Sequence, residues 1–217
     1  DKELADPQGF GKIEYAYYLM ATGAGIDMSE CRLHHEGGRS HFMTRRFDRD
    51  GRGRKLHMQS LGAIQHFDFN DPASYSYEQA ILTIRDLGLG MDVVEQQYKR
   101  AVFNVVARNQ DDHVKNISFL MDRSGAWRLS PAYDMAYSYN PSGSWTRDHQ
   151  MSLAGKRNDF THGDLMVFAS NVGLKSNKAN QAIEDIVDAV AKWQEFAEQA
   201  GVEHSDVSRI EKTFRMN

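Results

Sequence analysis

Apolar residues recur mostly at helical spacing along this chain, and two pairs of short runs flank tight turns. Phe10, Ile13, Tyr17 and Met20 predict a helix over residues 10–21, stopped by Gly23 and Gly25. Tyr75, Ala80, Ile81, Ile84 and Leu87 predict a second over 75–87, ended by Gly88 and Gly90. Val94, Tyr98, Ala101, Val102, Val105 and Val106 make a broad stripe over 92–108, which predicts a buried helix. Thr161 reads as the cap of a helix running to Val172 and ended by Gly173. Ser176 reads as the cap of a longer one to Ala200, closed by Gly201, with Ala179, Ala182, Ile183, Ile186, Val190 and Trp193 on one face. Ser205 marks the start of a terminal helix through Phe214. Residues 30–35 and 39–46 around Gly37-Gly38 predict a β-hairpin, and residues 117–121 and 126–129 around Asp122 to Gly125 predict another. Residues 1–9 and 137–147 lack a period and read as loops. The fold class expected is α+β, mostly α-helical, with short hairpins.

Composition narrows the class. The chain has 217 residues with 41% hydrophobic and 26% charged content, ordinary for a soluble globular protein. A net charge of −4 gives no general attraction to nucleic acid or anionic membrane. No apolar run approaches membrane-spanning length, and the sequence is expected to carry no signal peptide. One cysteine, Cys31, cannot form an internal disulfide, which points to a reducing cytoplasm. The first residue is Asp1, so the sequence is expected to be processed or part of a longer chain. The scattered histidines show no zinc spacing, and no His-Asp dipeptide of a phosphohydrolase occurs.

Chemistry concentrates in Asn109-Gln110-Asp111-Asp112-His113-Val114-Lys115-Asn116, a polar stretch held between the apolar runs 101–106 and 117–121. Such a loop on a rigid frame is where catalytic groups are usually fixed. Asp111 lies five residues before Asn116, and Asp134 follows beyond the second hairpin. An Asp, an Asn five residues on and a later Asp is the spacing of a kinase catalytic loop and its metal-binding Asp. A carboxylate orients the attacking hydroxyl, while an amide oxygen and a second carboxylate suit magnesium. Asp112 rivals Asp111 on chemistry alone. The basic run 45–55, with Arg45, Arg46, Arg49, Arg52, Arg54 and Lys55, reads either as a solvated loop or as a positive patch near phosphate. Gly51 and Gly53 do not make a phosphate-cradling loop.

A longer match sharpens this. Arg46-Phe47-Asp48-Arg49, then Phe103-Asn104, then Asp111-x-His113-x-Lys115-Asn116, then Leu129-x-Pro131-x-Tyr133-Asp134 stand in the order of the C-terminal kinase region of the HipA family of bacterial toxins, which the chain resembles. The resemblance implies a protein-kinase-like large lobe plus the end of a small lobe, with residues 1–47 as small-lobe end and hinge and 48–217 as the large lobe. It implies ATP and Mg2+ as cofactors, Asp111 as the catalytic residue, and Asn116 and Asp134 as metal ligands. Arg45, Arg46 and Phe47 would hold the adenine, and His113, Val114, Lys115, Asn116, Tyr133 and Asp134 would lie against the nucleotide. Arg45 stands where some relatives carry an acid, so only its main-chain role transfers. Phe47 reads equally as pocket wall or core. Lys115 would stabilise transferring phosphate or, alternatively, pair with Asp112.

The resemblance further implies serine/threonine kinase activity, an aminoacyl-tRNA synthetase as protein substrate, growth arrest, and a helix-turn-helix antitoxin through which DNA is met indirectly. Kinases also use a small-lobe lysine and a phosphate-covering loop. The 45 residues before Arg46 contain neither, and Lys12 falls in the first helix. Two alternatives remain: a non-catalytic kinase-like lobe that binds a protein, and a magnesium-dependent hydrolase using the same acids.

Overall fold

The computed structural model describes residues 9–216. Its elements in order are α1 (Phe10–Gly23), β1 (Cys31–Glu36), β2 (Arg39–Thr44), β3 (His57–Ser60), α2 (Leu61–Gln65), α3 (Tyr77–Asp86), α4 (Met91–Val106), β4 (Ser118–Met121), β5 (Trp127–Leu129), α5 (His162–Asn171), α6 (Ser176–Ala191), α7 (Trp193–Ala200) and α8 (His204–Glu211). The mostly helical α+β class is as expected. Both expected hairpins form, β1–β2 and β4–β5, each antiparallel.

α4 is the hub. Val94, Tyr98, Ala101, Val102 and Phe103 are all fully buried along it. Its stripe is wide, and both α3 and α6 pack on it. α1 packs on α7 and on the β1–β2 hairpin. Tyr17 of α1 meets Phe103 and Trp193 edge-on, with ring centroids 6.0 and 5.5 Å away, which locks α1, α4 and α7 into one core. The Tyr17 hydroxyl donates to the Ala107 carbonyl at 2.6 Å, satisfying an acceptor left open where α4 ends. Gly11 lets α1 press on β2, because a Cβ there would stand 2.5 Å from the Ser40 carbonyl oxygen.

Several local readings change. β3 and α2 were not foreseen. β3 is four residues long and joins the outer edge of β4, making a three-stranded sheet ordered β3-β4-β5. The helix expected over 176–200 breaks at Lys192 into α6 and α7, although the apolar face continues through Trp193. Ser176 is the first helical residue and not a cap, and Ser205 lies inside α8. Thr161 does cap α5, in a reciprocal capping box with Asp164. Phe10 sits on the expected apolar stripe yet is 54% exposed. The expected loop over 1–9 falls, apart from Gly9, outside the described residues. Residues 137–147 form turns without helix or strand, as expected.

Candidate functional site

The polar loop begins where α4 stops. Ala107 closes the helix and Arg108 takes a left-handed conformation, φ 59°, which turns the chain away. Asn109 folds back, its N–H donating to the Asn104 carbonyl at 3.0 Å and its Nδ2 to Asn104 Oδ1 at 3.0 Å. The far side is held by the β3–α2 corner. Leu61 N–H donates to the Ile117 carbonyl at 2.8 Å and Gly62 N–H to the Val114 carbonyl at 3.1 Å. Gly62 permits this approach, since a Cβ would sit 3.2 Å from Val114 Cγ2. Val114 is therefore buried, with its carbonyl already engaged.

The two neighbouring aspartates have opposite surroundings. Asp112 is 3% exposed and fully bonded: Oδ2 accepts from Tyr77 Oη at 2.6 Å and lies 2.7 Å from His149 Nδ1, and Oδ1 accepts from Gln150 N–H at 2.8 Å. Burial works against its charge, but the His149 ring and these bonds hold its carboxyl below the usual range. Asp112 anchors the loop and does not pair with Lys115. Asp111 instead keeps about half of its side chain open, 48%, with His113 Nε2 4.0 Å from Oδ1. Partial burial pushes the Asp111 carboxyl up, His113 opposes this, and the charges of Asp134 and Asp112 add to it.

Asn116 Nδ2 donates to the Asp111 carbonyl at 3.0 Å. That bond orients the amide and leaves Oδ1 as its unengaged oxygen. Asn116, His113, Tyr133 and Asp134 line one small polar cavity of about 20 Å³, backed by the buried Arg100 and Asn109. Asp134 has φ 55°, in the left-handed region that Asp enters more readily than most residues with a side chain. Its carbonyl accepts from Asn109 Nδ2 at 3.4 Å, and Tyr133 beside it is pinned by its hydroxyl, which donates to the Lys115 carbonyl at 2.5 Å. Asp111 faces a second and larger cavity, about 680 Å³, lined by Tyr137, Ser138, Tyr139, Asn140 and Phe10. The acid of the loop thus borders one chamber, and the amide and the later acid border another.

The other expected residues are more spread. Phe47 stacks at a tilt on Tyr133, with centroids 5.4 Å apart, and is outside the hydrophobic core. Arg46 is engaged by Asp48 through Nε at 2.6 Å and Nη2 at 2.5 Å, while Arg45 reaches Glu30 at 3.7 Å. With Arg49 also on Asp48 and Arg54 on Asp50, much of the basic run is locally neutralised. Lys115 Nζ lies over the Phe69 ring, 2.8 Å from its centroid.

Glu14 was missed. It lies on the partly buried flank of α1, and burial together with the charge of Asp134 raises its carboxyl to about 7. The available signal was a lone acid among apolar residues of an amphipathic helix.

A cation fits this arrangement. The Asp134 charge bears on the carboxyls of both Glu14 and Asp111, a repulsion that a cation would relieve, and Asn116 Oδ1 adds a hard oxygen donor. Among the described residues, no three His, Cys, Asp or Glu side chains are grouped closely enough to hold a metal by themselves. A pair of protein ligands completed by phosphate oxygens is a different arrangement and is compatible with that.

A helical lobe that delivers Asp-x4-Asn from a central helix and a later Asp from beyond a hairpin is a protein-kinase-type large lobe. The chain belongs to the HipA family: the HipA-like C-terminal domain matches residues 2–194. It is 23% identical to an inferred kinase of Haemophilus influenzae, over 93% of this chain and 67% of that protein. It is 24% identical to an inferred kinase, Y4mE, of Sinorhizobium fredii, over 80% of this chain and 43% of the relative. Its fold matches HipA of Shewanella oneidensis, solved with HipB and operator DNA, at a TM-score of 0.75 and 16% identity, over 94% of this chain and 54% of that one. The proinflammatory kinase CtkA of Helicobacter pylori matches at a TM-score of 0.51 and 11% identity, over 89% and 88%. The chain spans about half the length of the HipA structure. Among the described residues, no helix is long and apolar enough to cross a membrane.

Proposed function

We propose that this chain is the C-terminal kinase part of a HipA-type toxin, which in the full-length protein transfers phosphate from ATP to a serine or threonine hydroxyl. The observation that carries this reading is local. Asn116 is tied to the Asp111 backbone, and the Asp134 charge is felt by the Asp111 carboxyl, so Asp111 at the large chamber stands beside the small cavity that Asn116 and Asp134 line. In this reading, the hydroxyl oxygen attacks the γ-phosphorus in the large chamber, the bond to the β–γ bridging oxygen breaks, and ADP leaves. Asp111 receives the hydroxyl proton, helped by the partial burial that raises its carboxyl. Asn116 Oδ1 and Asp134 hold Mg2+, which supplies charge neutralisation at the phosphates when bound. Lys115 adds positive charge beside the transferred group. His113, Val114 and Tyr133 border the nucleotide. Arg45, Arg46 and Phe47 form the hinge edge at the adenine, with Phe47 against Tyr133 as the apolar wall.

On this reading residues 1–47 end a small lobe and provide the hinge, and residues 48–217 are the large lobe. α1 is shared, because Tyr17 and Met20 lie in the core of the larger part. Family resemblance supports a cytoplasmic protein that arrests growth by phosphorylating an aminoacyl-tRNA synthetase. The Shewanella complex of HipA with HipB and operator DNA supports an antitoxin partner, and the family resemblance supports one of the helix-turn-helix type through which DNA is met.

The test is transfer of labelled phosphate from Mg-ATP to protein by the full-length wild type and by Asp111→Gln. The expected result is loss of transfer by roughly 10²–10⁴-fold, with an unchanged circular dichroism spectrum. Full transfer by a well-folded Asp111→Gln protein would instead favour a lobe that binds without catalysing.

A further inference from the structure

Arg215 lies beyond residue 194, where the family match ends, in the stretch that follows α8. Its N–H donates to the Val106 carbonyl at 3.0 Å and its Nη1 to the Val105 carbonyl at 3.2 Å. The stretch is therefore strapped across the last turn of α4, the turn that delivers the polar loop. A second tie lies beside it, where Arg108 Nε donates to the Thr213 carbonyl at 2.6 Å.

The guanidinium also reaches inward. Arg215 Nη1 lies 3.0 Å from His149 Nε2, and Nη2 donates to Asn158 Oδ1. A guanidinium has five N–H donors and no acceptor, so His149 Nε2 must accept. The ring proton then sits on Nδ1, 2.7 Å from Asp112 Oδ2. The His149 ring is fully buried. Donation thus runs one way, from Arg215 through His149 to the carboxylate that anchors the loop.

We infer that Arg215 is a positioning residue: it fixes the His149 tautomer and, through Asp112, the loop that presents Asp111 and Asn116. The consequence for catalysis rests on the kinase reading; the tautomer and the order of the loop do not. Other groups bear on the relay from each side. Tyr77 donates to the same Asp112 oxygen, and Arg157 Nε donates to the His149 carbonyl at 2.6 Å. Phe160 packs edge-on to the ring, and Arg108, Asp159 and Tyr139 act on Arg215 electrostatically. Without the guanidinium, nothing in this set of contacts assigns Nε2 the acceptor role, and the Nδ1–H donated to Asp112 is no longer fixed.

The test uses the full-length protein with 15N-labelled histidine, as wild type, Arg215→Met and Arg215→Lys. Ring-nitrogen spectra of wild type should show His149 as the Nδ1–H tautomer with Nε2 accepting from the guanidinium. In Arg215→Met, the ring should lose this single tautomer, and the amides of residues 111–116 should exchange faster. In the kinase assay kcat should fall roughly 10–100-fold with KM for ATP nearly unchanged, the range for groups that orient a site at one remove. Arg215→Lys, which restores one donor, should recover the tautomer and part of kcat, and it serves as the folded comparison if Arg215→Met is unstable. An Nε2–H tautomer in wild type, or unchanged loop exchange in Arg215→Met, overturns the inference. If the tautomer and exchange behave as stated but wild type transfers no phosphate, the kinase reading fails and the positioning role stands.

Discussion

Asn116 donates its side-chain N–H to the main-chain carbonyl of Asp111, not to its carboxylate. The bond closes the loop on itself and spends the nitrogen, so the oxygen is the atom left to bind. Asn116→Asp replaces the donor with an oxygen facing a carbonyl oxygen. It is expected to cost about 1–3 kcal/mol of stability, measured by denaturant titration, whereas Asn116→Ala should cost less. Both should abolish Mg-ATP-dependent transfer. An Asn116→Asp protein as stable as wild type would show that this bond does not hold the loop.

Asp111 and Asp112 should separate cleanly under the same chemical change. Asp112→Asn turns an amide nitrogen toward the Tyr77 and His149 donors, so a loss of about 3 kcal/mol is expected. Asp111→Asn touches no such network and should change stability by less than about 0.5 kcal/mol. Equal destabilisation by the two substitutions would refute the division between an anchor and a working group.

The sequence carried much of this and hid some of it for identifiable reasons. α4 and the β4–β5 hairpin were legible because an unbroken stripe and a polar four-residue turn are local signals. Thr161 was legible as a cap for the same reason. β3 was not, because its register is set by β4, more than 55 positions on, and its own side chains are largely exposed. The break at Lys192 was hidden because no glycine or proline marks it. Spacing singled out Asp111, Asn116 and Asp134 as candidates. It could not tell that Asp112 is satisfied by His149 and Gln150, or that Arg215 reaches His149 across 66 positions. Contacts of that range leave no periodic trace.

Lys115 is exposed, and its visible contact is the face of Phe69. Lys115→Met keeps the stem and removes the charge. The melting temperature should hardly move, while kcat in the full-length protein should fall by roughly 10²–10³-fold if the ammonium stabilises transferring phosphate. A kcat within a factor of two of wild type would return Lys115 to an ordinary surface role.

Glu14 gives a pH signature. Its folded carboxyl is raised to about 7 by burial and by Asp134, above the ordinary value of 4.5. The folded state then holds the proton more tightly than the unfolded chain. Its contribution is most favourable below the unfolded value and is lost as pH rises through the folded one. Glu14→Gln should therefore melt at a temperature close to wild type near pH 4.5 and above it past pH 7. A melting difference independent of pH between those limits would contradict the raised carboxyl.

The central claim is that Asn116 and Asp134 hold the metal of a bound nucleotide while Asp111 faces the acceptor. It is tested most directly by a crystal structure of the protein with Mg2+ and a non-hydrolysable ATP analogue. The expected result is one Mg2+ at about 2.1 Å from Asn116 Oδ1 and an Asp134 oxygen, its remaining positions taken by phosphate oxygens and water. The γ-phosphate should lie toward Asp111 and the adenine against Phe47. A metal–nucleotide bound elsewhere, or an Asp134 carboxylate turned away from an occupied cleft, would contradict the account.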